Sequence, residues 1–212
     1  MGSGQNGGIQ NAGQTCSASS RILVDQSCYD EVVDLMAARY RQLRVGPADA
    51  DYDLGPLISA RHKKTVEQFL ERGKDLTIAA RGSIVENVPE AGHYFSPVLL
   101  SGVRSDHALA QEEIFGPVQV VIPFSNEEEA VAIANGTEFG LVASIWSNDG
   151  ARQMRVARQL RCGQVFVNNY GAAGGVELPF GGIGKSGHGR EKGFEALYGL
   201  SVVKTVAAYH GG

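Results

Sequence analysis

The sequence is sparing with cysteine, tryptophan and methionine, and what it lacks narrows its chemistry. Its 212 residues hold three cysteines, one tryptophan and three methionines. Cys16, Cys28 and Cys162 are odd in number and widely spaced. That argues against a disulfide framework and for a reducing compartment, with the cytoplasm as the expected location. No run of about 18 apolar residues exists, so no membrane-spanning helix is expected. The N-terminus lacks the charged-then-apolar pattern of a signal peptide. Basic residues do not predominate: 19 Lys and Arg stand against 23 Asp and Glu, a formal net charge of -4. Neither this balance nor any basic run with interleaved aromatics supports a nucleic-acid surface. His62, His93, His107, His188 and His210 form no ligand spacing with the cysteines, so no metal site is expected.

What is present describes an ordinary globular chain, 43% hydrophobic and 20% charged, long enough for one domain or one and a half. Apolar runs and helical stripes alternate from residue 21 to residue 168. Arg21-Ile22-Leu23-Val24 reads as a buried strand. Tyr29, Val32, Val33, Met36, Tyr40 and Leu43 recur at helical spacing, with Ser27 as the expected cap and Gly46-Pro47 as the stop. Residues 46–58 read as loop. Ser59 caps a second helix ending at Gly73. Leu76 to Ala80 and Tyr94 to Leu100 are extended, with Pro97 favouring an edge or a bulge. A strand over Val118 to Phe124 precedes a helix over Glu127 to Ala134, capped by Ser125 or Asn126. Phe139 to Trp146 reads as one strand, Asp149 caps a helix to Leu160, and Gln164 to Asn168 is a further strand. A short helix over Phe194 to Tyr198 and a tail strand over Leu200 to Ala207 close the chain. This alternation predicts an α/β fold with a mostly parallel open sheet flanked by helices, and a C-terminal strand for oligomerisation.

The stretch Asn11-Ala12-Gly13-Gln14-Thr15-Cys16-Ser17-Ala18-Ser19-Ser20 sets a thiol between a glycine turn and small residues able to open a helix. A helix start would favour thiolate and offer N–H groups to an oxyanion. A lone cysteine is more often a small buried hydrophobe, so this stretch alone leaves both readings open. Glu112 and Glu113 before an apolar strand are unusual. A solvated charge pair is their simplest explanation.

Two glycine motifs fail on context. Gly182-Ile183-Gly184-Lys185-Ser186-Gly187 fits G-x-G-x-x-G, but no strand leads directly into it and no acid follows about 20 residues later. Gly184-Lys185-Ser186 would need a glycine where Pro179 stands to be a P-loop.

Taken together, Asn11-Ala12-Gly13-Gln14-Thr15-Cys16, Glu112-Glu113-Ile114-Phe115-Gly116-Pro117, Val167-Asn168 and Pro179-Phe180-Gly181-Gly182 with Lys185-Ser186-Gly187-His188-Gly189-Arg190-Glu191 resemble the NAD(P)-dependent aldehyde dehydrogenase superfamily. The four pieces stand in the family's order. The resemblance implies that Cys16 is the nucleophile, forming a thiohemiacetal and then a thioester. It implies that Glu113 holds the nicotinamide ribose hydroxyls and that Phe115 packs near the nicotinamide. Phe180 and the loop 170–177, including Tyr170, would lie by the aldehyde entrance. The cofactor would be NAD or NADP, the substrate a small-molecule aldehyde, and the assembly a homo-oligomer, dimer or tetramer.

The resemblance further implies a catalytic domain over residues 1–198 and an oligomerisation strand and tail over 199–212. Met1 to Gly8 reads as a cut made inside a longer protein. The family's dinucleotide-binding domain, its oxyanion asparagine and its general-base glutamate would precede Cys16. On that expectation the chain alone turns over aldehyde poorly or not at all. Two other readings stay open at this point: a nucleotide-free thiol acyl-transferase or esterase using Cys16, and a non-catalytic pairing module.

Overall fold

The computed structural model describes residues 7–171 and 175–212. In order these form β1 (Arg21–Asp25), α1 (Tyr29–Gln42), β2 (Arg44–Val45), α2 (Ala60–Arg72), β3 (Thr77–Arg81), β4 (Ser83–Ile84), β5 (Val98–Ser101), α3 (Ala108–Gln111), β6 (Val118–Phe124), α4 (Glu127–Asn135), β7 (Phe139–Gly140), β8 (Val142–Ile145), α5 (Gly150–Gln159), β9 (Gln164–Val167), β10 (Ile183–Gly184) and α6 (Glu195–Gly199). A four-stranded sheet runs in the order β1-β6-β5-β3. β6 is parallel to both neighbours, and β3 is antiparallel to β5. β8 and β9 form a separate parallel pair. The α/β class and the largely parallel sheet agree with expectation.

β6 is the spine. It has a strand on each side, and Val118 to Ile122 are all buried, so both of its faces are covered. A strand covered this way reads as a continuous apolar run. Gln119 is the exception in that run, and it is fully buried. α1 lies over β3 and β5, turning Met36, Ala37 and Tyr40 into the core. Leu43, Leu99 and Leu100 complete the same layer. The helix caps follow the sequence in most cases. Ser59 accepts from His62 N at 3.1 Å, and Asn126 from Glu129 N at 2.9 Å. Asp149 accepts from Ala151 N and Arg152 N at 2.9 and 3.1 Å.

Five local expectations differ from the structure. Ser27 is not the cap of α1: it sits inside a single 3-10 turn, Gln26–Cys28, that Asp25 caps. α1 ends at Gln42, before Gly46-Pro47, because Leu43 turns extended and its carbonyl accepts Ser83 N at 3.0 Å. Pro97 marks neither an edge nor a bulge. It ends just before β5, a central strand, where its missing N–H costs the ladder nothing. The sheet irregularity lies instead on β3, between Ile78 and Ala80. Phe139 to Trp146 is two strands, since β7 pairs with β10 while β8 pairs with β9. Finally, residues 200–212 form no strand. Val202, Val203 and Val206 are 92%, 100% and 81% exposed. An extended apolar segment needs a neighbouring edge to satisfy its backbone, and among the described residues none is presented to it.

The α4–α5 contact generates a pH prediction. Arg155 donates to both Glu127 oxygens at 2.6 and 2.7 Å, and Arg152 lies 3.5 Å away. Those bonds hold the Glu127 carboxyl below the usual range. A lowered carboxyl stabilises the fold above its unfolded value and loses that effect as pH falls through the folded value. Glu127→Gln is therefore expected to lower the melting temperature near pH 7 and leave it nearly unchanged in acid, flattening the acid limb of a thermal-melting profile between about pH 5 and pH 3. Melting curves by circular dichroism across that range provide the check.

Candidate functional site

Cys16 is exposed in a turn, where Ala18 N donates to Thr15 O at 2.9 Å. No helix opens there, which corrects the expectation of a helix-start thiol. The reason is short reach: the chain must be extended by Ser20, whose carbonyl accepts Val120 N at 2.9 Å to start the β1–β6 ladder. The three residues between cannot close a helical turn and leave it again.

Upstream of the thiol, Asn11, Ala12 and Gly13 have φ of 52°, 53° and 72°. A left-handed backbone costs roughly 1–2 kcal/mol per non-glycine residue. Part of that is offset locally. Asn11 Nδ2 donates to Gln14 O, and Gln14 Nε2 donates to Asn11 O, each at 3.0 Å. Gln14 Oε1 then accepts Ile58 N at 2.9 Å, pinning the turn to the start of α2. Gly13 is forced for a second reason: a Cβ there would overlap the backbone carbonyl of Gly116. The two loops thus meet backbone to backbone.

The second loop, 112–117, is held by α2. Arg72 makes a forked ion pair with Glu112. Arg72 accordingly holds the Glu112 carboxyl below its ordinary range. Glu113 is exposed. Among the described residues it forms no ion pair and no side-chain hydrogen bond. The adjacent carboxylates therefore divide: one is structural, the other is left to face solvent. Phe115 has φ of 56° and is 39% exposed. His62 Nε2 lies 2.7 Å from its carbonyl, and the two rings stand edge to face at 6.2 Å.

Tyr170 reaches the Cys16 segment. Its hydroxyl donates to Ser17 O at 2.8 Å. Burial pushes the phenol up; the bond to Ser17 opposes this, and negative charge at Cys16 adds to it. Phe180 is tied elsewhere: its backbone pairs in both directions with Glu191 at 2.6 Å, and Lys192 Nζ lies 5.7 Å from its ring. Of the loop 170–177, residues 172–174 lie outside the described residues. Asn168 closes the end of the β8–β9 pair, bonding Ser147 N and Ser147 O at 2.9 Å each.

The glycine-rich stretch is a stitch rather than a phosphate cradle. Lys185, Ser186 and Gly187 donate their N–H groups to Glu138, Ile183 and Gly184 carbonyls at 2.8, 3.2 and 3.1 Å. No N–H of these three is left for an anion. No group of three or more His, Cys, Asp or Glu able to hold a metal exists among the described residues. No described helix is long and apolar enough to cross a membrane. Reading the sequence missed His62, Arg72, Tyr40 and Gln119. The odd glutamine in an apolar strand was the available signal.

Cys162 is half-buried and donates to Gln164 O at 3.2 Å, and burial pushes its thiol up. It therefore holds less thiolate at neutral pH. With limiting iodoacetamide it is expected to label several-fold more slowly than the exposed Cys28. A time course mapped by mass spectrometry checks this.

Comparison with known proteins adds the following. The family model described as the aldehyde dehydrogenase family matches residues 3–206. A betaine aldehyde dehydrogenase of Brucella anthropi is 38% identical over 204 residues, covering 94% of this chain and 42% of that protein. A succinate-semialdehyde dehydrogenase [NADP(+)] of Mycobacterium tuberculosis is also 38% identical, covering 94% and 44%. Among solved structures, a Burkholderia cenocepacia protein assigned to the aldehyde dehydrogenases is 56% identical with a TM-score of 0.95, covering 98% of this chain and 44% of that one. The Staphylococcus aureus betaine aldehyde dehydrogenase in complex with NAD+ is 35% identical with a TM-score of 0.87, covering 93% and 40%. The chain spans less than half the length of these relatives.

Proposed function

The chain belongs to the aldehyde dehydrogenase family, and on that premise we propose that it supplies the nucleophile and the nicotinamide-side clamp for oxidation of an aldehyde to a carboxylic acid. The observation that carries this is the Gly13–Gly116 approach, which sets the Cys16 segment against the loop bearing Glu113 and Phe115. A thiol acyl-transferase without nucleotide would have no use for a free carboxylate beside a strained, half-exposed aromatic. A pairing module would have no use for either.

In this reading Cys16 Sγ attacks the aldehyde carbon and forms a thiohemiacetal. A bound NAD or NADP supplies the hydride acceptor. The resulting thioester suits hydrolysis, because a thiolate is a good leaving group. Glu113 accepts hydrogen bonds from two ribose hydroxyls, which one carboxylate can do at once. The residues present fit that group: Glu113 is exposed and uncommitted, while Arg72 neutralises its neighbour Glu112. Phe115 offers an apolar face against the nicotinamide. Tyr170, bonded to Ser17 O, would border the aldehyde entrance; Phe180 is assigned there by the family resemblance. Residues 1–198 make the catalytic part, and 199–212 pair with another subunit in a homo-oligomer, where the exposed Val202, Val203 and Val206 would gain a partner edge. The relatives' names point to small polar aldehydes such as betaine aldehyde and succinic semialdehyde.

The test joins this chain to the upstream part of the Burkholderia cenocepacia relative. The joined protein is expected to form NADH or NADPH from one of these aldehydes, and the chain alone to form very little. Cys16→Ser should lower turnover by roughly a thousandfold or more. Glu113→Gln should raise the cofactor KM about ten- to a hundredfold, the worth of a charge-assisted hydrogen bond pair. Robust turnover by the Cys16→Ser protein would overturn the proposal.

A further inference from the structure

One buried polar group has no part in the chemistry above. Gln119 lies in β6 within a run of valine and isoleucine, and it is fully buried, as is Tyr40 of α1. Burying an amide without partners is costly, so a core strand gains nothing from glutamine unless both ends are bonded. Both ends are bonded here. Tyr40 Oη donates to Gln119 Oε1 at 2.6 Å, and Gln119 Nε2 donates to Ser19 O at 2.5 Å. Ser19 stands three residues beyond Cys16. Its own N–H donates to Gly7 O at 3.3 Å, so the bond holds the two ends of the nucleophile segment together. Gly8 is open for the same purpose: a Cβ there would overlap the Gln119 amide. Gln119 also stands four residues after Phe115 on one continuous backbone, with Gly116 between them packed on Gly13.

We propose that Gln119, braced by Tyr40, is a positioning residue that fixes the Cys16 segment relative to the Glu113–Phe115 loop. The strand carries the cofactor-side loop at its entrance and grips the nucleophile segment through one amide. The α1 hydroxyl fixes which way that amide faces, because it donates to the oxygen and leaves the nitrogen pointed at Ser19. A hydrocarbon at position 119 would fill the same space but would release Ser19. That this position serves hydride transfer rests on the proposed function; that it governs Cys16 does not.

The test starts with the chain itself, labelled with bromotrifluoroacetone, the Cys16 fluorine line being assigned by its loss in Cys16→Ser. Gln119→Met keeps the volume and removes both hydrogen bonds. It is expected to shift or split the Cys16 line and to change Cys16 alkylation roughly threefold or more. The Cys28 and Cys162 lines should stay where they are. Tyr40→Phe should move the same line less, and Gly8→Ala should move it by displacing the amide. If Gln119→Met fails to fold, Tyr40→Phe, which keeps the ring, carries the same test. An unmoved Cys16 line and rate in a folded variant would overturn the proposal, as would equal movement of all three cysteines. In the protein joined to the upstream part, Gln119→Met should lower kcat about ten- to a hundredfold with the cofactor KM unchanged. A moved Cys16 line in a joined protein that never oxidises aldehyde would sink the proposed function and leave the clamp standing. An active joined protein indifferent to Gln119→Met would do the reverse.

Discussion

Two backbones in direct contact, at Gly13 and Gly116, are what the rest of this structure answers to. A Cβ at Gly13 would overlap the Gly116 carbonyl, and one at Gly116 would run into the Val66 side chain of α2, so the close approach of the two loops depends on both glycines. Everything nearby holds that approach in place. The left-handed residues Asn11 and Ala12 aim the first loop, and Gln14 ties it to the start of α2. His62 and Arg72, near opposite ends of α2, tie down the second. A helix is well suited to this task, since its ends are spaced by its rise and cannot drift independently.

The strain in the site is concentrated rather than diffuse. Of the six non-glycine residues with positive φ among the described residues, four stand in the four short stretches that carry the family resemblance: Asn11, Ala12, Phe115 and Asn168. Strained residues persist only where their surroundings over-determine them. Here the surroundings are identifiable bonds. Asn168 holds Ser147 at two points, and the Phe115 carbonyl meets His62. The buried core beneath, running through β6 and α1, gives these bonds a rigid base.

The sequence made the alternation of strands and helices legible because each helix shows its cap and its stripe. Ser59, Asn126 and Asp149 could be read as caps since their side chains bond only to their own next turn. Ser27 could not be excluded as a cap from sequence, because Asp25 competes for the same N–H groups two residues earlier. Cys16 stands out in the sequence through its neighbours, but the helix expected after it is absent, since the distance to β1 is set by tertiary pairing. Likewise the tail looked like a strand by composition. Strand character is a property of a pair, and its partner is not encoded in the segment. Glu112 and Glu113 were indistinguishable by type. Only the reach of Arg72 across 40 residues of chain separates them.

Phe115 shows how such a site sits against its own stability. A phenylalanine at φ of 56° occupies backbone space that glycine would fill without penalty. Replacing it by glycine would relieve on the order of 1 kcal/mol of backbone strain and delete the ring that the proposed function sets against the nicotinamide. On that proposal, relief of backbone strain runs against function at this position. On the same proposal, the chain with the relaxed backbone would be the poorer one, and the aromatic would be held by what it does rather than by how well it folds.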